Sequence, residues 1–270
     1  MIFAEIKALV ETLPEVSVWP ELADIFERAG DVPRPDWELP VLACKAVGGE
    51  ESSAVSGAAA IACLQLSIIL VDDILDDDPR GAHNELGVGY TANLALAYEA
   101  AAISLAEQAN PDPKQSLAIV NCLTRAALAT AAGQQLDIKN FQGEEDYWRV
   151  VTAKSTPFYG AALQLGSLIG GAGKEVSSGM YELGVTIGEI IQLEDDLADA
   201  LERPANADWL QGRNNLLILF ARTADHQDRQ RFLELIPQVD QPALLIEAQD
   251  ILVSSGAVGY CTYQLVDRYR

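Results

Sequence analysis

Positive charge is scarce in this chain, and so are cysteine pairs, strand-like runs and interdomain linkers. Lys and Arg total 18 against 40 Asp and Glu, a formal net charge of -22. Such a field repels nucleic acid and anionic membrane surfaces over long range, which removes DNA and RNA as partners. The four cysteines, Cys44, Cys63, Cys122 and Cys261, are far apart in apolar surroundings. No close pair suggests a zinc or redox motif, and a reduced cytoplasmic protein is expected. The first residues, MIFAEIKALVETLPEV, alternate acids with apolar residues and lack a basic leader and a small-residue cleavage site, so they do not read as a secretion signal. Alternating Val, Ile, Thr and aromatic runs are rare, and no fixed-period repeat, low-complexity tract or long linker divides the chain.

What remains is helical texture. Ala- and Leu-rich segments such as LALAYEAAAISLAEQA and SLAIVNCLTRAALATAAGQQL are separated by breaks such as GDVPRPDWELP, NPDPKQS, GGAGKEVSSG and ERPANADWLQGRNN. The expected fold is an all-α bundle, residues 1–270 forming one domain. Segments near Gly57–Asp78, Gly81–Gln108 and Ser155–Gly170 carry too few charges for an exposed face and are expected to be surrounded. The uncharged run Ala54–Val71 is long enough to span a membrane. Gln65 and two serines interrupt it, however, and acids rather than Lys or Arg close it, so it reads as a buried central helix and no transmembrane segment is expected.

That run ends in VDDILDDDPRG, with five aspartates in seven positions. On a helix, Asp72 and Asp76 share a face, and like charges at that spacing repel by a few tenths of a kcal/mol. Pro79 and Gly81 mark a helix end, where the dipole disfavours acids further. Taken alone, the cluster reads equally well as a solvated helix end in an acidic protein. The same Asp-Asp-x-x-Asp spacing recurs in GEIIQLEDDLADA, where Asp195 and Asp199 share a face and Asp196 is adjacent. Oxygen-only donors in two copies suit Mg²⁺ held jointly with phosphate oxygens rather than zinc.

LQLSIILVDDILDDDPRG and IGEIIQLEDDLADA resemble the two aspartate-rich motifs of the trans-isoprenyl diphosphate synthases, the polyprenyl synthetase family. The likeness extends to AAGQQLD near Gln134, TAKSTPFYGAALQLG and DWLQGR, and so runs from about Pro33 to Leu219. It implies the isoprenoid synthase bundle around a central apolar cavity, a homodimer, and condensation of an allylic prenyl diphosphate with isopentenyl diphosphate. It also implies Mg²⁺, three ions with substrate bound. Carried over by position, Asp72, Asp73 and Asp76 are first-motif metal ligands, and Asp195 and Asp199 those of the second. Lys154 and Arg213 would hold the allylic diphosphate, Ser155 and Gln192 would face the cation, and Gln65 and Arg80 would meet the homoallylic diphosphate. Ser67 and Ile68 would form the pocket floor, and neither being aromatic implies a product beyond farnesyl. Lys154 or Arg213 alone would read as an ordinary surface cation. His83 and His226 need no role, since departing pyrophosphate can take the proton.

Departures from the family gather in the isopentenyl diphosphate subsite. The family's Gly-Gly-Lys-Arg-x-Arg-Pro is GDVPRPDWELP here, leaving Arg34 as its basic candidate; Pro79, Arg80 and Gly81 are one arginine short; and no Lys follows the second motif. Arg268 and Arg270 could supply late positive charge. Two alternatives stand beside chain elongation: a class I terpene synthase using one prenyl diphosphate, and a partner subunit without turnover.

Overall fold

The computed structural model describes residues 2–137 and 143–270, and among these every regular element is a helix. The main helices in chain order are α1 (Ile2–Val10), α2 (Pro20–Gly30), α3 (Leu39–Ala46), α4 (Val55–Asp76), α5 (Val88–Gln108), α6 (Pro113–Asp137), α7 (Glu144–Lys154), α8 (Thr156–Ile169), α9 (Lys174–Leu201), α10 (Leu216–Thr223), α11 (Arg229–Leu235), α12 (Pro242–Ser254) and α13 (Ala257–Arg268). Helices α2, α6 and α12 begin on proline, whose fixed φ suits a first turn and whose missing N–H would have no helical partner there. The all-α expectation holds.

Contacts divide the chain into two compact units, Met1–Ala131 with Pro157–Val185, and Ala132–Thr156 with Thr186–Arg270. The first unit is built on α4, whose residues from Gly57 to Leu64 are all buried. A side chain at Gly57 would fall 2.5 Å from Ile169 and Leu165, so the bare backbone lets α8 close on α4. Helix α5 packs along α4 on another side, tied by the Ser56 hydroxyl donating to the Leu105 carbonyl at 2.7 Å. Each fully buried Leu or Ile of α4 contributes about 1.5–3 kcal/mol by leaving water. Phe3, Phe26 and Trp37 stack beneath this helix.

Two expectations need correction. The helix after the first acidic motif starts at Val88, not Gly81, because Gly87 takes a φ of 84° and breaks the chain there. Nor is α5 surrounded: Leu96 on it is 64% exposed. Among the described residues two helical stretches are long and apolar enough to cross a membrane by length and composition, Glu51–Asp76 and Pro113–Asp137; two thirds of the apolar window in the first is buried, as a core helix requires.

The second unit gathers α10 to α13 around Leu216, Leu217, Phe232, Leu252 and Cys261, with Leu193 of α9. Asn215 caps α10, its side-chain oxygen accepting from the N–H groups of Leu217 and Ile218, which satisfies two donors a helix start leaves open. Arg268 near the end of α13 donates to Glu189 at 2.6 Å and lies 4.1 Å over the Trp148 ring. The four cysteines are buried and unpaired.

Candidate active site

In the first unit the site residues follow from the end of α4. Asp72 and Asp76 lie one turn apart and are half-buried. The helix stops because Asp77 turns left-handed at φ 50°, a conformation a short polar side chain tolerates, and the Asp78 N–H then reaches back to the Asp73 carbonyl at 3.0 Å. Burial first, then the charges of Asp78 and Asp72, push the Asp73 carboxyl up to about 6. Arg80 is exposed and forks onto Asp78, at 3.2 Å and 2.9 Å. Two turns upstream, Gln65 is half-buried with its amide engaged at both ends: its oxygen accepts from the Trp37 indole and its nitrogen donates to Asp36. Ser67 is buried and Ile68 half-buried between Gln65 and the acids. Arg34 donates to the Ala29 carbonyl at 3.0 Å.

In the second unit, the close of α6 against α7 does the positioning. A side chain on Gly133 would sit 2.3–2.4 Å from the backbone of Ala153 and Lys154, so only glycine allows this approach. It sets Asp137 beside Lys154, whose ammonium donates to the carboxylate at 2.7 Å, while Asn214 donates to the other oxygen at 2.9 Å. The next residue, Ser155, donates to the Gln192 amide oxygen at 2.7 Å. One turn on, Asp195 and Asp199 project from α9, Asp195 exposed. Desolvation first, then Asp199, Glu194 and Asp208, raise the Asp195 carboxyl to about 6. Asn206 donates to the Asp199 carboxylate at 3.1 Å. Arg213 is half-buried and donates to the Gln211 side chain at 3.0 and 3.1 Å. Thus Lys154, Ser155, Gln192, Asp195, Asp199 and Arg213 all fall in one unit, and Gln65, Ser67, Ile68, Asp72, Asp73, Asp76 and Arg80 in the other.

Sequence reasoning passed over three groups here. Asp137 closes the AAGQQLD segment and holds Lys154. Asp208 accepts from Asn215 at 2.9 Å and is pushed up to about 6, chiefly by burial. Asp196, the middle acid of the second motif, is 2% exposed and accepts from Tyr147, Gln192 and the Leu216 N–H; burial lifts it to about 7 against those bonds. Its burial could have been foreseen from the apolar residues at helical spacing around it, Leu193 and Ala200, both fully buried.

The donors suit a hard divalent cation. The Asp72 and Asp76 pair on α4 and the Asp195 and Asp199 pair on α9 each offer oxygen alone, and among the described residues no three acid, histidine or cysteine side chains are grouped so as to hold a metal ion. The remaining ligand positions would fall to phosphate and water oxygens, the habit of Mg²⁺.

The all-α fold is shared with solved structures. Polyprenyl synthase from Caulobacter crescentus, solved with calcium and isoprenyl diphosphate, superposes with a TM-score of 0.84 at 22% identity, covering 99% of this chain and 85% of its own. The polyprenyl synthetase family model matches residues 25–250, and the chain belongs to that family. It is a transferase, a prenyltransferase of isoprenoid biosynthesis. The short chain isoprenyl diphosphate synthase of Methanothermobacter thermautotrophicus is 28% identical over 251 residues, 86% of this chain and 76% of that protein. The geranylgeranyl diphosphate synthase of Methanosarcina mazei is 28% identical over 196 residues, 67% of this chain and 60% of that protein's length.

Proposed function

We propose that the chain condenses an allylic prenyl diphosphate with isopentenyl diphosphate in the presence of Mg²⁺, three ions with substrate bound, and releases pyrophosphate. The observation that carries this reading is the cluster in the second unit, where Ser155 donates to Gln192 one turn from Asp195 and the preceding residue, Lys154, is held by Asp137. A prenyl transfer needs metal-ligating carboxylates, a cation for the diphosphate and neutral oxygens for the developing positive charge, and this cluster offers all three.

Bound magnesium would neutralise the diphosphate and ease its departure. The chain's own residues do the rest. Asp72, Asp73 and Asp76 on α4, with Asp195 and Asp199 on α9, supply carboxylate ligands. Lys154, steadied by Asp137, and Arg213 bind the allylic diphosphate. The Ser155 hydroxyl oxygen and the Gln192 carbonyl oxygen turn electron density toward the allylic carbon as the C–O bond breaks. Gln65 and Arg80 receive the second diphosphate, whose alkene forms the new C–C bond to the allylic carbon, and the proton then lost from the neighbouring carbon passes to pyrophosphate. The same reading makes the protein a cytoplasmic homodimer; four buried unpaired thiols fit a reducing compartment.

Incubation with Mg²⁺ and geranyl or farnesyl diphosphate, with and without isopentenyl diphosphate, followed by mass spectrometry, tests the reading. Elongated diphosphates are expected only when both substrates are present. A hydrocarbon or alcohol formed without isopentenyl diphosphate, or no turnover with any pair, overturns it. Ser67→Phe is expected to shorten the product by one or more five-carbon units; unchanged length removes Ser67 from the pocket floor.

A further inference from the structure

We infer that Asp196 is a positioning residue that fixes which end of the Gln192 amide faces Ser155, and so faces the reacting carbon, rather than a third metal ligand of its motif. The inference rests on the role proposed above for Ser155 and Gln192. Its ground is the hydrogen-bond arithmetic around one buried carboxylate.

Oδ1 of Asp196 accepts from Gln192 Nε2 at 2.9 Å, and Oδ2 accepts from the Tyr147 hydroxyl and the Leu216 N–H, each at 2.7 Å. Asn215 adds a bond to the Asp196 backbone carbonyl at 2.8 Å. With the Tyr147 hydroxyl and the Leu216 N–H both donating to Oδ2, Oδ1 is the oxygen turned to Gln192, and the Gln192 nitrogen is the end of the amide that points at it. The Gln192 oxygen is then left on the other side, where it accepts from Ser155 at 2.7 Å. Were the amide reversed, an oxygen would face a buried carboxylate and a nitrogen would face Ser155 and the developing positive charge. Burial at 2% exposure, together with three inward donors, leaves Asp196 turned into the protein, whereas its neighbour Asp195 is exposed. Through Leu216 and Asn215 the same residue anchors the end of the segment that carries Arg213, so the amide and that segment share one anchor.

Asp196→Asn is the sharp test. Its amide nitrogen would face Gln192 and favour the reversed orientation. The expected result is a fall in kcat of at least tenfold, with KM for the allylic diphosphate and the half-saturating Mg²⁺ concentration each changed less than threefold. Adding Gln192→Glu restores an oxygen toward Ser155 opposite the asparagine amide, and the double variant is expected to recover at least threefold of the lost kcat. Unchanged kcat, a loss confined to Mg²⁺ affinity, or a folded double variant without recovery overturns the inference. The metal-free wild-type protein provides a readout independent of turnover and of variant folding. The Gln192 side-chain amide should give a nuclear magnetic resonance signal whose protons exchange slowly with water. A freely exchanging amide overturns the positioning role even if the prenyltransferase reading stands. A protected amide in a protein that makes no elongated product sinks the function and leaves the positioning intact.

Discussion

The two aspartate motifs share one spacing and differ in nearly everything around it. The first ends its helix: its acids lie in the last turn of α4, half-buried, and the chain turns away through a left-handed Asp77. The second lies inside α9, which continues past it to Leu201. Their middle acids part most sharply. Asp73 is half-buried and its charge is disfavoured by burial and then by acid neighbours. Asp196 is 2% exposed and held by three donors. A repeat of spacing fixes which helical face the outer acids share; neighbours from other parts of the chain decide what the middle acid does.

The comparison is most severely tested by removing outer acids from each motif. Asp72→Ala and Asp195→Ala should each lower kcat/KM about a thousandfold, since several kcal/mol of metal-borne charge stabilisation is at stake and each 1.4 kcal/mol is tenfold. Steady-state assays that show one loss without the other would break the symmetry of the outer acids.

The middle acids should separate by stability. Tyr147→Phe removes a donor from a buried carboxylate and should cost about 1–3 kcal/mol in denaturant unfolding, whereas Asp73→Asn should change stability little or raise it, relieving charge repulsion. Equal effects would erase the distinction. Gly133→Ala should cost about 1–3 kcal/mol, because the added methyl meets backbone at 2.3 Å, and should also raise KM for the allylic diphosphate by moving Lys154. The smallest effect belongs to Arg80→Ala. Its exposed pair with Asp78 should contribute under about 1 kcal/mol to stability, so any change should appear as a raised KM for isopentenyl diphosphate.

Much of this was legible in the sequence for a plain reason. Good helix formers between Gly, Pro and Asp breaks give α4, α6 and α8 within a few residues, and the aspartate spacing puts Asp72 with Asp76 and Asp195 with Asp199 on shared faces. Those are local properties, fixed by 3.6 residues per turn. What stayed hidden depends on distant partners. That Asp137 would meet Lys154 depends on Gly133 lying against Ala153; that Gln65 would be engaged by Trp37 and Asp36 depends on a turn 28 residues upstream. The exposed Leu96 was missed for the opposite reason, since an apolar helix in a sequence does not say which of its faces the rest of the chain covers.

The four lone cysteines carry a practical consequence for spectroscopy. Cys63, Cys122 and Cys261 are each pushed up to about 12, chiefly by burial, and burial raises Cys44 as well, so at neutral pH none offers an appreciable thiolate to an alkylating label. Native thiols of this kind are a dark background. One cysteine introduced on each compact unit, at Leu96 and at Tyr263, both on open surface, could carry a spin or fluorescent pair without removing any natural residue of the core. Distances between the two labels, read with and without a prenyl diphosphate, would then report whether the chain changes when that molecule is added.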